Sequence, residues 1–162
     1  MLARQHLESI EKKVWDVNIL AIYLVEDHPG NKYVSPVVKE GLKGAYIPVL
    51  IDILPIRAYW ILERKWGIDP LKASHVIKDF LKKYDTPQLI PLKKETILKA
   101  FELAKKLNHD VYNCLYLAFA RQVNAKTIIT TDTDFENLCK AVDLKYENPV
   151  PRNILRMFKS YK

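Results

Sequence analysis

"AKTIITTDTDFENL", residues 125–138, passes from a short β-branched apolar run to two carboxylates, Asp132 and Asp134, and then to an apolar helical pattern. The run predicts a buried strand, and the acids stand where that strand ends. In an open parallel sheet, ligands bind beyond the carboxyl ends of the strands. Acids at that place therefore predict a site as well as a fold. Asp134, just before "FENL", also suits the N-cap of a short helix. It reads either as a cap or as a ligand.

Working outward, "KVWDVNIL" (13–20) is apolar on both sides of Asp16 and predicts a first strand buried on two faces. A carboxylate in such surroundings needs a partner. A helical turn or two follows in 33–44, closed by Gly41 or Gly44. The second half of 45–69 predicts a helix from Pro55 to Gly67, and 71–84 has apolar positions at helical spacing. "PQLIPL" (87–92) predicts a short strand, "KKETILKAFELAKKL" an amphipathic helix, and "HDVYNCLYLAFARQV" a more apolar helix lying on the sheet. "DLKYENP" (143–149) supplies a last edge strand. This alternation implies a three-layer α/β/α fold with a mainly parallel central sheet.

The 162 residues fit one domain, with a tail at about 149–162 that packs on the body or binds a partner. No run approaches the roughly 20 apolar residues of a membrane span, and the N-terminal stretch lacks a secretory apolar core, so a cytoplasmic protein is expected. Cys114 and Cys139 have neither zinc-site nor disulfide-framework spacing. Twenty-six Lys and Arg against 19 Asp and Glu give a net charge of +7, which favours polyanionic partners, nucleic acid foremost. Four glycines and a Lys-, Glu-, Ile- and Tyr-rich composition suit a thermophile. If the strands ending at Asp16 and Asp132 are neighbours, their carboxylates converge. A divalent, oxygen-seeking ion such as Mg²⁺ or Mn²⁺ relieves the repulsion.

"VWDVNIL" and "TTDTDF", with the helix–strand–turn block between residues 109 and 135, resemble PIN-domain ribonucleases, VapC-like and of archaeal type. The resemblance implies an Mg²⁺- or Mn²⁺-dependent endoribonuclease. Asp16, Asp132, Asp110 and Asn113 would be its catalytic set, and Asp16, Asp132, Asp134, Asn113 and Asp52 its metal ligands. Asn18 and Thr130 would hydrogen-bond those ligands, and Arg57 and Arg121, with Lys12 and Lys13, would guide the RNA backbone. Two positions depart from the family. Asn113 replaces the helix Asp, which Asp110 one turn earlier either replaces in turn or does not, serving as a helix-start charge instead. The Glu expected after "IPVL" is absent, with Asp52 nearest, Arg57 at the helical site and Glu63 a solvated charge. Many small members are toxins that dimerise and are covered by an antitoxin, so a homodimer and an antitoxin partner are implied.

The alternative is a PIN fold that no longer cleaves and serves as an RNA-binding or assembly module. A haloacid-dehalogenase-type phosphotransferase would need a second Asp where Asn18 stands, and no glycine-rich phosphate loop exists for a nucleotide-binding Rossmann protein. His28, His75 and His109 lack ligand spacing and read as surface or capping residues.

Overall fold

In the computed structural model, which describes residues 10–161, five short strands form one parallel sheet. The readings of the first nine residues, and of Lys162 in the tail, fall outside the described residues. Strands β1 (Lys12–Trp15), β2 (Ile47–Ile51), β3 (Gln88–Ile90), β4 (Thr127–Ile129) and β5 (Lys145–Glu147) lie in the order β3-β2-β1-β4-β5. Val14 sets the register at the centre, opposite Val49 on one side and Ile128 on the other. The helices are α1 (Val17–Tyr23), α2 (Asn31–Leu42), α3 (Leu54–Trp60, continued by a π turn at Ile61–Lys65), α4 (Pro70–Lys83), α5 (Lys94–Leu107), α6 (Val111–Gln122) and α7 (Phe135–Ala141). A last short helix, α8 (Arg152–Leu155), runs into a 3₁₀ turn at Arg156–Ser160.

The chain steps from β1 to β2 to β3 in one direction, returns to β4 on the other side of β1, and goes on to β5. Right-handed crossovers then set α1–α4 on one face and α5–α7 on the other. The packing agrees: α1 meets α2 and α3, α3 meets α4, and α6 meets both α5 and α7. The three-layer parallel architecture expected from the sequence is therefore the one observed. The winding reverses between β1 and β4, and a crevice opens at such a point.

Two local expectations change. The first strand stops at Trp15, and residues 17–23 are helical, because Asp16 caps the helix by accepting the Val17 N–H at 2.6 Å. Apolar residues on every side, here Val17 and Ile19 through Ile22, mark a buried helix as well as a two-sided strand. The strand β2 was hidden by Pro48, a residue uncommon in central strands. Gly44 closes α2 with φ of 91°, whereas Gly41 lies inside that helix, where a Cβ would stand 2.6 Å from the Tyr46 ring.

The core runs along both faces of β1, and Trp15, fully buried, is its largest side chain. Its indole N–H donates to the Tyr46 hydroxyl at 3.0 Å, which donates to the Val37 carbonyl at 2.8 Å, joining β1 to α2. The tail packs on the body. Phe158 and Tyr161 meet the His28 ring at centroid distances of 4.7 and 4.6 Å, with Trp66 beside it at 4.7 Å. His28 is thus buried, contrary to a surface reading, although it does cap a turn by accepting the Gly30 N–H at 3.0 Å. Burial holds its imidazole neutral by lowering its pKa to about 4, against a smaller opposing pull from Asp27. His75 stays on the surface, 3.1 Å from Asp79 one turn on.

Candidate active site

Asp16 leaves β1 at the carboxyl rim, directly beside the end of β4, to which its own N–H is bonded through the Ile129 carbonyl at 3.0 Å. Its side chain is 6% exposed. One oxygen, Oδ1, caps α1, while Oδ2 accepts from the Thr130 hydroxyl at 2.7 Å and from Asn18 Nδ2 at 3.1 Å. Burial raises its pKa above the ordinary 3.8, and the nearby Asp132 charge raises it further, while the hydrogen bonds from Thr130 and Val17 favour the carboxylate. The Tyr116 hydroxyl also favours that charge, yet it is buried without a well-formed hydrogen bond of its own.

Thr130 ties the two acids together. Its hydroxyl donates to Asp16 and accepts the Asp132 N–H at 3.0 Å. Asn18 braces the same turn, its Oδ1 accepting the Thr131 N–H at 3.2 Å. Asp132 is half-buried, and its Oδ1 accepts the Asp134 N–H at 2.9 Å, so that Asp132 organises the turn into α7. From the opposite side, Asn113 on α6 brings Nδ2 to 3.5 Å from Asp132 Oδ2. Asp16, Asp132, Asn113, Asn18 and Thr130 are thus brought together at the switch point.

The remaining expected residues stand elsewhere. Asp110 Oδ1 accepts the N–H groups of Tyr112 and Asn113 at 2.7 and 3.1 Å, which makes Asp110 the N-cap of α6. Asp134 occupies the N-cap position of α7 but makes no side-chain cap bond; it points to His109 Nε2 at 3.6 Å. Asp52 lies on the same rim, one strand over, exposed, with its N–H bonded to Ile90 of β3. Arg57 makes no ion pair with Asp52; its guanidinium lies 5.3 Å from the ring centroids of both Trp60 and Tyr112. Arg121 sits at the far end of α6, about 12 Å along the axis from Asn113, and donates to the Val142 carbonyl at 3.4 Å. Lys12 and Lys13 open β1, at the amino ends of the strands and so at the rim opposite the acids, and Lys13 pairs with Glu147 at 2.9 Å. Glu63 lies in the π turn and pairs with its neighbour Arg64 at 3.4 Å.

Among the described residues, no three His, Cys, Asp or Glu side chains gather into one metal-binding group. The donor set at the rim is two carboxylates and one amide. That set fits a single hard ion that keeps most of its own water, as Mg²⁺ does when one or two carboxylates hold it. The Asn113 amide, turned over, presents its carbonyl oxygen in place of its NH₂. The buried Tyr116 hydroxyl lacks a partner that such a hydrated ion would supply. Sequence reasoning passed over Tyr116, although i, i+3 spacing from Asn113 already sets both on one helix face.

A family model for the PIN domain matches residues 14–141, which takes in the end of β1, both acids and all of α6 and α7. The chain belongs to the PIN domain family. Solved structures agree on the PIN fold. VapBC2 from Rickettsia felis, bound to a DNA fragment from its promoter, superposes with a TM-score of 0.62 at 17% identity, covering 85% of this chain and 98% of that one. VapC20 from Mycobacterium tuberculosis, a toxin that cleaves the sarcin–ricin loop, superposes with a TM-score of 0.63 at 10% identity, covering 78% and 94%. No curated protein matches the chain by sequence at a significant level. The PIN match ends before the tail, so α8 and the tail rings of Phe158 and Tyr161 lie outside it, whereas His28 and Trp66, which they pack against, lie inside. No helix among the described residues is long and apolar enough to cross a membrane.

Proposed function

We propose that this PIN protein is a divalent-metal-dependent endoribonuclease whose ion, Mg²⁺ or Mn²⁺, is held by Asp16 and Asp132 with the Asn113 amide. The observation that carries this reading is the placement of a buried acid and a half-buried one at the reversal of the sheet, with one threonine hydroxyl bonded to the carboxylate of Asp16 and to the backbone N–H of Asp132. Leaving two such acids unneutralised is costly, and an ion removes the cost. When bound, the ion would acidify a water and offset charge on the phosphodiester. The reaction adds the oxygen of water to phosphorus, breaks one P–O ester bond and passes a proton to the departing oxygen. Thr130 and Asn18 fix the direction of the Asp16 carboxylate throughout, and outer partners of this kind are commonly worth 10–100-fold in activity or metal affinity.

The likeness to VapC20, a toxin that cleaves the sarcin–ricin loop, supports a role as the toxin of a toxin–antitoxin pair, with RNA as substrate, a homodimer as the assembly and an antitoxin over the acidic rim. A fluorescent single-stranded RNA tests the chemistry. It should be cut with Mn²⁺ or Mg²⁺, spared with EDTA, and cut again when the ion is restored. RNA that binds but stays whole with either ion would replace this reading by the non-cleaving module.

A further inference from the structure

Arg57 is the unusual cation of this molecule. It is half-buried, and its Nε is sealed from solvent without a hydrogen-bond partner. Among the described residues no carboxylate pairs with it, although guanidinium groups rarely go that far into a protein unpaired. Its charge rests instead against two aromatic faces, 5.3 Å from the Trp60 centroid and 5.3 Å from that of Tyr112. These rings come from opposite layers, Trp60 from α3 and Tyr112 from the start of α6, and the Arg57 guanidinium contacts both. Both remain open to solvent, at 43% and 38% exposure. Trp60 is the last residue before the π turn, and the five-residue spacing of that turn brings Lys65 back over its ring at 5.8 Å. Tyr112 adjoins Asn113, which reaches Asp132, and its ring meets Tyr116 edge-on at 5.8 Å.

We propose that Arg57, Trp60 and Tyr112 bind one unpaired nucleotide of the RNA next to the acidic pair, with a phosphate on Arg57 and the base stacked on an exposed ring. The proposal rests on the nuclease reading for its ligand. A guanidinium with free donors matches phosphate oxygens, and exposed aromatics with cations nearby form stacking platforms for single-stranded bases. A paired duplex hides its base faces, so the site selects unpaired RNA.

The test is fluorescence anisotropy of a labelled, unstructured RNA oligonucleotide with the full chain in EDTA, where nothing is cut. Trp60→Ala and Tyr112→Ala should each weaken binding roughly 5- to 100-fold, the range for losing one base–aromatic stack, and Arg57→Ala should weaken it more than twofold through loss of the phosphate contact. Arg57→Ala should also flatten the dependence on salt by about one phosphate contact, and Tyr112→Ala should not. The same oligonucleotide annealed to its complement should be insensitive to both aromatic changes. Circular dichroism melts confirm folding, and Trp60→Phe and Tyr112→Phe, which keep a ring, should retain most of the affinity. Affinities within twofold of the parent for Arg57→Ala and Tyr112→Ala would overturn the proposal and leave this face to a protein partner. Tight binding lost in these variants, with no cutting by the parent in Mn²⁺, would keep the nucleotide site and reject the nuclease. Cutting by the parent with unchanged binding by the variants would do the reverse.

Discussion

Asp16→Asn is expected to reduce RNA cleavage by more than about 100-fold, beyond what loss of an outer partner of a metal ligand costs, while making the ion-free protein more stable. The activity loss follows from removing one of the two acids that stand side by side at the ends of β1 and β4. The gain in stability follows from burial. Asp16 has a folded pKa raised above 3.8, chiefly by desolvation. A group shifted this way contributes stability that is present below the unfolded pKa and is lost as pH rises through the folded one. At pH 7 the buried acid is therefore a burden that the asparagine lacks; its amide oxygen still accepts the Val17 N–H, while its NH₂ meets the donors of Thr130 and Asn18, which offsets part of the gain. The relief is read as a melting temperature higher than the parent's at pH 7. Thermal melts in EDTA at pH 7 and near pH 3.5 check the sign, since the difference should shrink in acid. A variant that loses activity and also melts lower at pH 7 would mean that Asp16 is a structural cap first.

Trp15→Ala should be the most damaging single change to the fold, by about 3–5 kcal/mol. Trp15 is wholly buried at the end of β1, and its N–H holds Tyr46, which holds α2. Truncation opens a cavity beneath the sheet and removes the donor to the Tyr46 oxygen. The expected fall in melting temperature is on the order of 10 °C. Trp15→Phe, which keeps most of the volume and loses only the hydrogen bond, should cost much less, about 1–2 kcal/mol. Urea unfolding followed by far-ultraviolet circular dichroism measures both. Equal losses in the two variants would assign the effect to the hydrogen bond and not to packing.

The layers of the fold were legible because "KTIITT" and the helices around it carry the periodicity of their final environments. Asp16 and Asp132 were legible for the same reason: each follows an apolar run that ends at the rim. What escaped was local competition for the same side chains. Asp110 gives one oxygen to two backbone N–H groups, which decides for the helix-start role the sequence had left open, and Asp134 turns to His109, which spacing alone does not reveal. The end of β1 was misplaced because a helix buried all round and a strand buried on two faces share one apolar pattern. Pro48 disguised β2. Arg121 shares α6 with Asn113, but helix length carries it to the wrong end. The Arg57 contacts join elements far apart in sequence, from opposite layers, and only the folded rim brings them together.

Calorimetric titration of the metal-free protein with Mn²⁺, beside Asp16→Asn and Asp132→Asn, tests the central claim most directly. The two-carboxylate site predicts one ion per chain, with binding strongly weakened in either variant. Absence of binding at millimolar Mn²⁺, or binding that survives both substitutions, would contradict it.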